Sequence, residues 1–466
     1  MDTLFSFKYQ SKEKLIYNII NIFSNYYIMT YTPFIYKIPT INTDNIYKDN
    51  NIVTSSTINM PLISLGFHSF IHRTKSAMDI TLKLETKNKF YYIVNPFEHN
   101  INDYKEDINS VSSVYFPNKD EPKILSRAFY KIWEILEMFD VANMQHLNMV
   151  GLAEGPGSFI QAVIKYREKF YNIMKDKIYC MTIHPENNKF IEMGKPIIDY
   201  YPKLITFIKT YKREISDKDE TKINGDITKI KTINYIRNQL KKDNKYADLV
   251  TADGGFEWNN ENYQEQEAYL LIYGEILSAL KIQAKNGNFV LKIFETFTVV
   301  TIKMIYLLTL YYDEVIIYKP FFSRNTNSEK YVICKKFKYD QVLDKDFLDK
   351  KMIFLEKTLE LMDTKQFVVD IFPKFILTNN FLDIFKYINI TIANTQQIMI
   401  NMLVQYIKSN NYFGDEYHKY RENQILANKW WISTYFVESK PDFTKLVKDT
   451  IHYNESELTL FINKLN

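Results

Sequence analysis

The sequence is poor in the residues that build several common kinds of site. Its 466 residues include only two cysteines, Cys180 and Cys334, too few for a disulfide framework or a cysteine-based zinc site. Glycine is scarce as well, at 11 residues, so each glycine cluster is more informative than usual. The formal net charge of +4 is too small to indicate nucleic-acid binding by itself. Any basic surface must therefore be local.

Long hydrophobic runs are also missing. The most apolar stretch, Thr296–Tyr312, contains Lys303 and is followed by two acidic residues, which predicts a buried amphipathic helix rather than a membrane span. Three lysines fall within the first 14 residues, where a signal peptide would need its apolar core. We expect no membrane partner and a cytoplasmic, reducing location, with the nucleus as the alternative. The abundance of Asn, Ile, Lys, Tyr and Phe is typical of an AT-rich genome. We therefore include a viral factory or virion of a large DNA virus among the expected locations.

Alternating strand and helix patterns begin near residue 126. Six apolar runs have the length of buried strands: Leu147–Ala153, Lys177–Ile183, Asp248–Ala252, Asn288–Phe294, Glu314–Tyr318 and Tyr331–Phe337. Helical periodicity marks Ser126–Phe139, Phe159–Phe170, Tyr263–Lys285, Thr395–Lys408 and Arg421–Phe436. Asn286-Gly287 stands at the usual C-cap position of the third of these helices.

This alternation predicts an α/β fold with a parallel sheet covered by helices. Only residues 319–330 separate the last two strands, too few for a crossover helix, so that pair should be antiparallel. A parallel sheet with one antiparallel hairpin strand is the layout of Rossmann-like class I methyltransferases. We predict three regions: an N-terminal extension of unassigned fold (residues 1–110), this α/β domain (111–345) and a mainly helical C-terminal region (346–466), where strand patterns stop.

The first candidate site is a glycine-rich turn between a strand and a helix, Glu154-Gly155-Pro156-Gly157-Ser158. Residues without side chains allow the backbone to approach a ligand closely. The turn lacks the third glycine of a dinucleotide fingerprint, and no acidic residue ends the second strand, which disfavours NAD. A P-loop is excluded because no Gly-Lys-Ser/Thr follows. An ordinary strand-to-helix corner remains an equal alternative at this point.

Three charged residues at strand ends follow downstream. Asp253 follows a predicted central strand, Lys292 interrupts the apolar strand NFVLKIF, and Glu329 precedes the last strand. Buried lysine is costly unless it is neutral or paired. Each residue alone is ordinary, and a solvent-facing lysine is the more common case, so their order and strand-end positions are what matter.

Together these segments resemble the FtsJ-type ribose 2′-O-methyltransferases. The motifs are LAEGPGSFI, GDIT (225–228), DLVTADGGFE, NFVLKIFETFT and YKPFFSRNTNSEKYVICKKF, and the resemblance covers roughly residues 126–338. It is greatest to the enzymes of eukaryotes and large DNA viruses that methylate the first transcribed nucleotide of capped mRNA. Two departures are Ser158 in place of a glycine and Gly151 in place of an acidic residue, for which Glu154 compensates.

The resemblance implies the site residues. The family's Lys-Asp-Lys-Glu tetrad falls on Lys131, Asp253, Lys292 and Glu329. S-adenosylmethionine is the implied cofactor, and no metal is required. The implied cofactor contacts are Glu154, Gly155, Pro156, Gly157, Ser158, Phe159, Asp226 and Asp253, with Asp226 against the adenine. Methyl transfer needs an aligned hydroxyl that loses its proton. We expect Lys292, beside the cation Lys131, to have a lowered pKa and to accept that proton.

The expected substrate is the 5′ end of capped mRNA, converted from cap 0 to cap 1, with other capping or transcription subunits as further partners. Two alternatives remain: methylation of ribosomal or other structured RNA, and a methyltransferase-like RNA-binding or scaffold subunit. Residues 195–245 carry a net charge of +6 and include Lys241 and Lys242, a candidate RNA-binding surface. Lysines 330, 335, 336 and 338 add to it. Trp430-Trp431 is expected to pack in the core.

Overall fold

The protein is described from a computed structural model, which covers residues 32–40, 44–58, 63–84, 92–99, 120–186, 192–243, 245–255, 258–410 and 413–465. The first lysines of the chain lie outside these ranges. The strands are β1 (Phe34–Ile38), β2 (Ile52–Ser55), β3 (Asn148–Leu152), β4 (Lys177–Cys180), β5 (Ile205–Phe207), β6 (Ala247–Ala252), β7 (Gln283–Ile293), β8 (Tyr312–Lys319), β9 (Lys330–Phe337) and β10 (Phe367–Ile371).

Helices fill most of the remaining described chain. They are α1 (Leu65–Ser76), α2 (Ala128–Phe139), α3 (Ser158–Phe170), α4 (Lys195–Tyr200), α5 (Arg213–Ser216), α6 (Ile230–Lys242), α7 (Gln264–Glu267), α8 (Tyr269–Ile282), α9 (Val299–Tyr311), α10 (Lys345–Met362), α11 (Asn379–Ser409), α12 (Asp415–Tyr435) and α13 (Thr444–Leu465). Short 3₁₀ helices span Asp44–Lys48, Ala77–Leu84 and Glu261–Tyr263. No helix among the described residues has both the length and the apolar character needed to cross a membrane.

Eight strands form one sheet in the order β1-β8-β9-β7-β6-β3-β4-β5. Strands β5, β4, β3, β6 and β7 are parallel neighbours, and β9 runs antiparallel between β7 and β8. All six predicted strands are present, and the predicted antiparallel pair is confirmed. The fold is therefore the expected Rossmann-like α/β sheet.

The sheet is buried because its central strands are apolar on both faces. Helices α2 and α3 cover one face and α8 and α9 the other, so the core divides into two layers. Helix α9 corresponds to the most apolar stretch of the sequence and is buried on nearly every side, not on one face as an amphipathic helix would be. Its Lys303 is neutralised by Asp370, 2.7 Å away.

The predicted cap at Asn286-Gly287 is wrong. Helix α8 ends at Ile282, and the chain passes without a loop into β7, which contains both residues. The buried side chain of Gln283 makes this possible, because its amide donates to the carbonyls of Ala247 (2.8 Å) and Asn288 (3.2 Å). Asn286 adopts a left-handed φ of +62° inside the strand.

Both flanking regions contribute to the α/β domain. Strand β1, from the N-terminal region, pairs antiparallel with β8 and forms one edge of the main sheet. Strand β10 pairs with β2 in a separate two-stranded sheet, so strands do occur after residue 345. Trp431 of α12 is fully buried, as expected. The domain boundaries near residues 110 and 345 stay predictions.

Candidate active site

The candidate catalytic residues meet at the carboxyl ends of the parallel strands. Strands β6 and β7 are in register at Ala252 and Leu291, which places Asp253 beside Lys292. Strands β7 and β9 pair Lys292 with Tyr331, so Glu329 lies just before the paired segment of β9. Lys131 projects from α2. Open α/β sheets bind ligands at this edge.

Two ion pairs organise the four residues. The Nζ atom of Lys131 lies 2.6 Å from Oε1 of Glu329, and Nζ of Lys292 lies 3.2 Å from Oδ1 of Asp253. Lys292 also donates to the backbone carbonyl of Asp253 at 2.8 Å. Both pairs are largely shielded from solvent. The structure thus brings all four predicted tetrad residues into one cluster.

The expected direction of the Lys292 pKa is wrong. Burial disfavours the charged ammonium, but Asp253, Glu329 and Glu275 together outweigh burial and hold the pKa above its usual value. Lys131 shows the opposite result, since burial lowers its pKa despite the attraction of Glu329. The expectation failed because Lys131 is neutralised by its own carboxylate and repels Lys292 little.

Glu329 is held by the hairpin between β8 and β9. Burial would raise its pKa, but Lys131, Lys292 and Lys319 hold it well below the usual range. Lys319 fixes the hairpin by donating to Ser323 Oγ (3.1 Å) and to the carbonyls of Asn327 (3.0 Å) and Glu329 (2.8 Å). Burial lowers the pKa of Lys319 to about 7.

The glycine-rich turn follows β3 at the same edge of the sheet. Gly155 and Pro156 are partly exposed, whereas Gly157 is buried with a φ of +106°, a region that favours glycine. A Cβ atom on Gly157 would lie 2.6 Å from Cε of Met193. The N–H of Gly194 donates to the carbonyl of Pro156 at 3.0 Å. The turn is therefore a fixed backbone surface that a ligand can approach.

The other predicted residues of the turn have internal partners. Glu154 is buried, and its Oε1 accepts from the backbone N–H groups of Phe159 (3.0 Å) and Ile160 (3.1 Å), which caps the start of α3. Burial raises the pKa of Glu154 to about 8. Ser158 Oγ lies 2.7 Å from Ser126 Oγ, and the Phe159 ring is buried. Their predicted cofactor contacts stay predictions.

Asp226 lies at the next corner, beside the carboxyl end of β4. Gly225, at a φ of +84°, packs so closely on the backbone of Thr182 and Ile183 that a side chain would not fit. Oδ1 of Asp226 accepts from the N–H (3.0 Å) and hydroxyl (2.7 Å) of Thr228. The aspartate is thus oriented by its own turn, at the position predicted for adenine recognition.

The family model of FtsJ-like methyltransferases matches residues 124–337, the segment that contains this whole constellation. These residues form an FtsJ-like methyltransferase domain. S-adenosylmethionine is the cofactor of such domains, and the partly exposed turn with Asp226 beside it fits a nucleoside ligand. No group of three His, Cys, Asp or Glu that could hold a metal ion occurs among the described residues.

Curated relatives of the chain carry cap-specific names. It is 27% identical over 302 residues to cap-specific mRNA (nucleoside-2′-O-)-methyltransferase 2 of Drosophila melanogaster, covering 62% of this chain and 41% of that protein. It is 28% identical over 292 residues to cap-specific mRNA (nucleoside-2′-O-)-methyltransferase 1 of Trypanosoma cruzi. This match covers 59% of this chain and 70% of that protein. A Plasmodium falciparum structure described as a ribosomal RNA methyltransferase matches with a TM-score of 0.32 and 20% identity, over 46% of this chain and 97% of that chain.

Sequence reasoning missed several residues that support the FtsJ-like site. The Tyr331 hydroxyl donates to Oδ1 of Asp253 at 3.1 Å. The carboxylate of Glu275 accepts from the N–H of Gly254 at 3.1 Å, and burial raises the pKa of Glu275 to about 8. The alternation of strand β9 marks Tyr331 as facing the site. Glu275 lies in an apolar helix. The only sequence feature that indicates a functional role is its charge among apolar residues.

A charged cluster adjoins the tetrad on the side of Lys131. Glu98 accepts from Arg127 Nη1 at 2.7 Å and from Arg324 Nη2 at 3.1 Å, and the Arg324 guanidinium lies 3.9 Å from the centre of the Tyr92 ring. Arg127 immediately precedes α2, one turn before Lys131, and Arg324 lies in the hairpin of Glu329. Glu98 therefore ties a segment before the FtsJ-like domain to both elements.

The candidate basic surface lies elsewhere. Lys241 and Lys242 end α6 and precede β6, so they lie at the amino end of that strand, whereas Asp253 follows its carboxyl end, about 20 Å away. Lys335 pairs with Glu314 of β8, also away from the site. Lys330 is buried and donates to the carbonyl of Phe294, so the prediction that it adds to an exposed surface is wrong.

Proposed function

We propose that the protein transfers the methyl group of S-adenosylmethionine to the ribose 2′-hydroxyl of the first transcribed nucleotide of capped mRNA. The observation that carries this proposal is the pairing of Lys131 with Glu329 and of Lys292 with Asp253 in one cluster beside the glycine-rich turn. The names of the curated relatives support the capped substrate.

The residues have distinct roles in this reaction. The cofactor, when bound at the turn, supplies an electrophilic methyl group. In this proposal Lys292 holds the acceptor hydroxyl and takes its proton, and its contacts with Asp253 orient the Lys292 side chain. Glu329 fixes Lys131, the second cation, through the 2.6 Å ion pair. Since the pKa of Lys292 is raised in the free protein, it begins the cycle as the ammonium and first orients the hydroxyl as a hydrogen-bond donor. It then releases one proton to solvent, and the resulting neutral amine accepts the proton of the hydroxyl as the methyl group is transferred.

The test uses purified protein, S-adenosylmethionine labelled in the methyl group, and short RNAs with a methylated cap, an unmethylated cap or no cap. Nuclease digestion and mass spectrometry locate the label. We expect it on the first ribose of capped RNA only. Equal transfer to uncapped structured RNA would favour the structured-RNA alternative, and RNA binding without any transfer would favour a binding or scaffold subunit.

A matched pair of variants tests the residue assignment. Lys292→Ala should lower transfer about 10²- to 10⁴-fold, the range expected for loss of a proton acceptor, and should leave cofactor affinity unchanged. Lys285→Ala changes an exposed lysine near the start of the same strand and should leave both unchanged. Activity retained in Lys292→Ala would refute the role of Lys292. Association with other capping subunits and a cytoplasmic location belong to the same proposal.

A further inference from the structure

An aromatic pair lies beside the candidate proton acceptor. The rings of Trp258 and Phe294 are 4.8 Å apart and nearly perpendicular, at 80°. Nζ of Lys292 is 5.9 Å from the centre of the Phe294 ring. Phe294 directly follows the end of β7, two residues after Lys292, and its ring is buried. None of the roles described above uses either ring.

The residues that follow Trp258 are held by hydrogen bonds. The backbone N–H groups of Asn259 and Asn260 donate to the carboxylate of Glu267, at 2.9 and 3.1 Å, and the Asn260 side chain accepts from the N–H of Asn262 at 2.9 Å. The indole of Trp258 is partly exposed, and the residues next to it in the sequence are polar. A large aromatic side chain held at a site edge with surface open to solvent is suited to stacking on a flat ligand.

The position of the acceptor hydroxyl determines which ligand group reaches these rings. A ribose 2′-hydroxyl that gives its proton to Lys292 must lie within hydrogen-bonding distance of Nζ. The base of the same nucleotide is attached to C1′, the carbon next to the one that bears this hydroxyl. It therefore lies within a few ångströms of Lys292. The glycine-rich turn is on the β3 side of Asp253, whereas Phe294 and Trp258 are beyond Lys292 at the end of β7.

We infer that Trp258, supported from behind by the buried ring of Phe294, forms a stacking wall for the base of the acceptor nucleotide. This inference rests on the proposed function, because it places the acceptor hydroxyl at Lys292. Stacking on an aromatic wall holds any base, since every base has a π face. The enzyme should accordingly accept all four bases at the methylated position with similar efficiency.

Three variants separate stacking from packing. Trp258→Phe keeps an aromatic ring, Trp258→Leu keeps apolar bulk without one, and Trp430→Phe changes a partly exposed tryptophan that packs on Phe97 and Phe321 instead. Binding of fluorescently labelled capped RNA is measured by anisotropy in the presence of S-adenosylhomocysteine, together with cofactor affinity and thermal stability. This readout needs no methyl transfer, so it remains informative if the proposed reaction fails.

We expect Trp258→Leu to weaken RNA binding about tenfold or more, the range found for loss of one stacked base, with cofactor affinity and thermal stability unchanged. Trp258→Phe and Trp430→Phe should stay within about threefold of the natural protein. Equal losses in Trp258→Phe and Trp258→Leu, or a loss that parallels thermal stability, would mean that the indole only packs, and would overturn the inference.

A second RNA identifies the base that is stacked. If Trp258 stacks on the acceptor base, the penalty of Trp258→Leu should vanish on capped RNA whose first transcribed nucleotide is abasic, because the partner is already missing. A penalty of full size on the abasic RNA would overturn the assignment to that base. Methyl transfer that succeeds while both binding predictions fail would leave the proposed function intact and refute this inference alone.

Discussion

Asp253→Asn should lower the pKa of Lys292. The Asp253 carboxylate lies 3.2 Å from the Lys292 ammonium and is the largest of the attractions that raise its pKa. Asparagine has nearly the same shape but no charge, and the backbone carbonyl of residue 253 still accepts from Lys292. The substitution therefore removes the charge with little change in geometry.

The size of this attraction follows from the distance. Two unit charges 3.2 Å apart, at an effective dielectric constant of about 20, attract by about 5 kcal/mol. Solvent reaches the carboxylate, whose side chain is 21% exposed, and Glu329 and Glu275 remain, so this attraction is an upper bound, and its loss in Asp253→Asn lowers the pKa of Lys292.

The assay is the pH dependence of kcat/KM for methyl transfer to capped RNA, which reports ionisations of the free enzyme. If Lys292 must lose its proton, activity rises with pH through its pKa, and this rise should begin at lower pH in Asp253→Asn even though the absolute rate is reduced. Glu314→Gln removes an ion pair of similar length, with Lys37 at 3.0 Å, on the β1–β8 edge, and should leave the profile unchanged. If kcat/KM of Asp253→Asn begins to rise at the same pH as in the natural protein, or at a higher pH, the reasoning is refuted.

Three further predictions concern the support of the site. Gly157→Ala should weaken S-adenosylmethionine binding about 5- to 30-fold by calorimetry, because a Cβ at positive φ costs about 1–2 kcal/mol and meets Met193, whereas Gly66→Ala, with no neighbour near its Cβ, should have no effect. Glu134→Gln should lower the free energy of unfolding in urea by about 1–3 kcal/mol, because its buried carboxylate accepts from four donors and an amide cannot. Glu137→Gln should stabilise the protein at pH 8, and by less at pH 5, because burial raises the pKa of Glu137 to about 8.

The sign of the Glu137 effect follows from proton linkage. The folded protein holds this proton up to about pH 8, whereas the unfolded chain releases it near its ordinary, lower pKa. Stability is therefore lost as the pH rises between these values, at up to about 1.4 kcal/mol per pH unit. An equal effect of Glu137→Gln at pH 5 and pH 8 would contradict this account. An unchanged unfolding energy in Glu134→Gln, or unchanged cofactor affinity in Gly157→Ala, would contradict the other two.

The sequence predicted the central sheet and the tetrad because both depend on local patterns. Apolar runs mark β3, β6 and β7, and the parallel register then brings Asp253 to Lys292 without further information. Strand β1 was not predicted, because its five residues pair with β8 across about 280 positions of the chain. The pKa of Lys292 was predicted in the wrong direction for a related reason: the charges around it belong to separate elements, and their distances depend on tertiary packing.

The flanking regions complete the catalytic elements of the FtsJ-like domain. Glu134 of α2 accepts from Trp431 of α12 at 2.9 Å, and the same carboxylate accepts from the backbone N–H groups of Phe321 (2.7 Å) and Phe322 (3.1 Å) in the Glu329 hairpin. One buried acid therefore joins the helix of Lys131, the hairpin of Glu329 and the C-terminal region. Because the ion pair between Lys131 and Glu329 spans those first two elements, its 2.6 Å geometry depends on packing that lies outside residues 124–337.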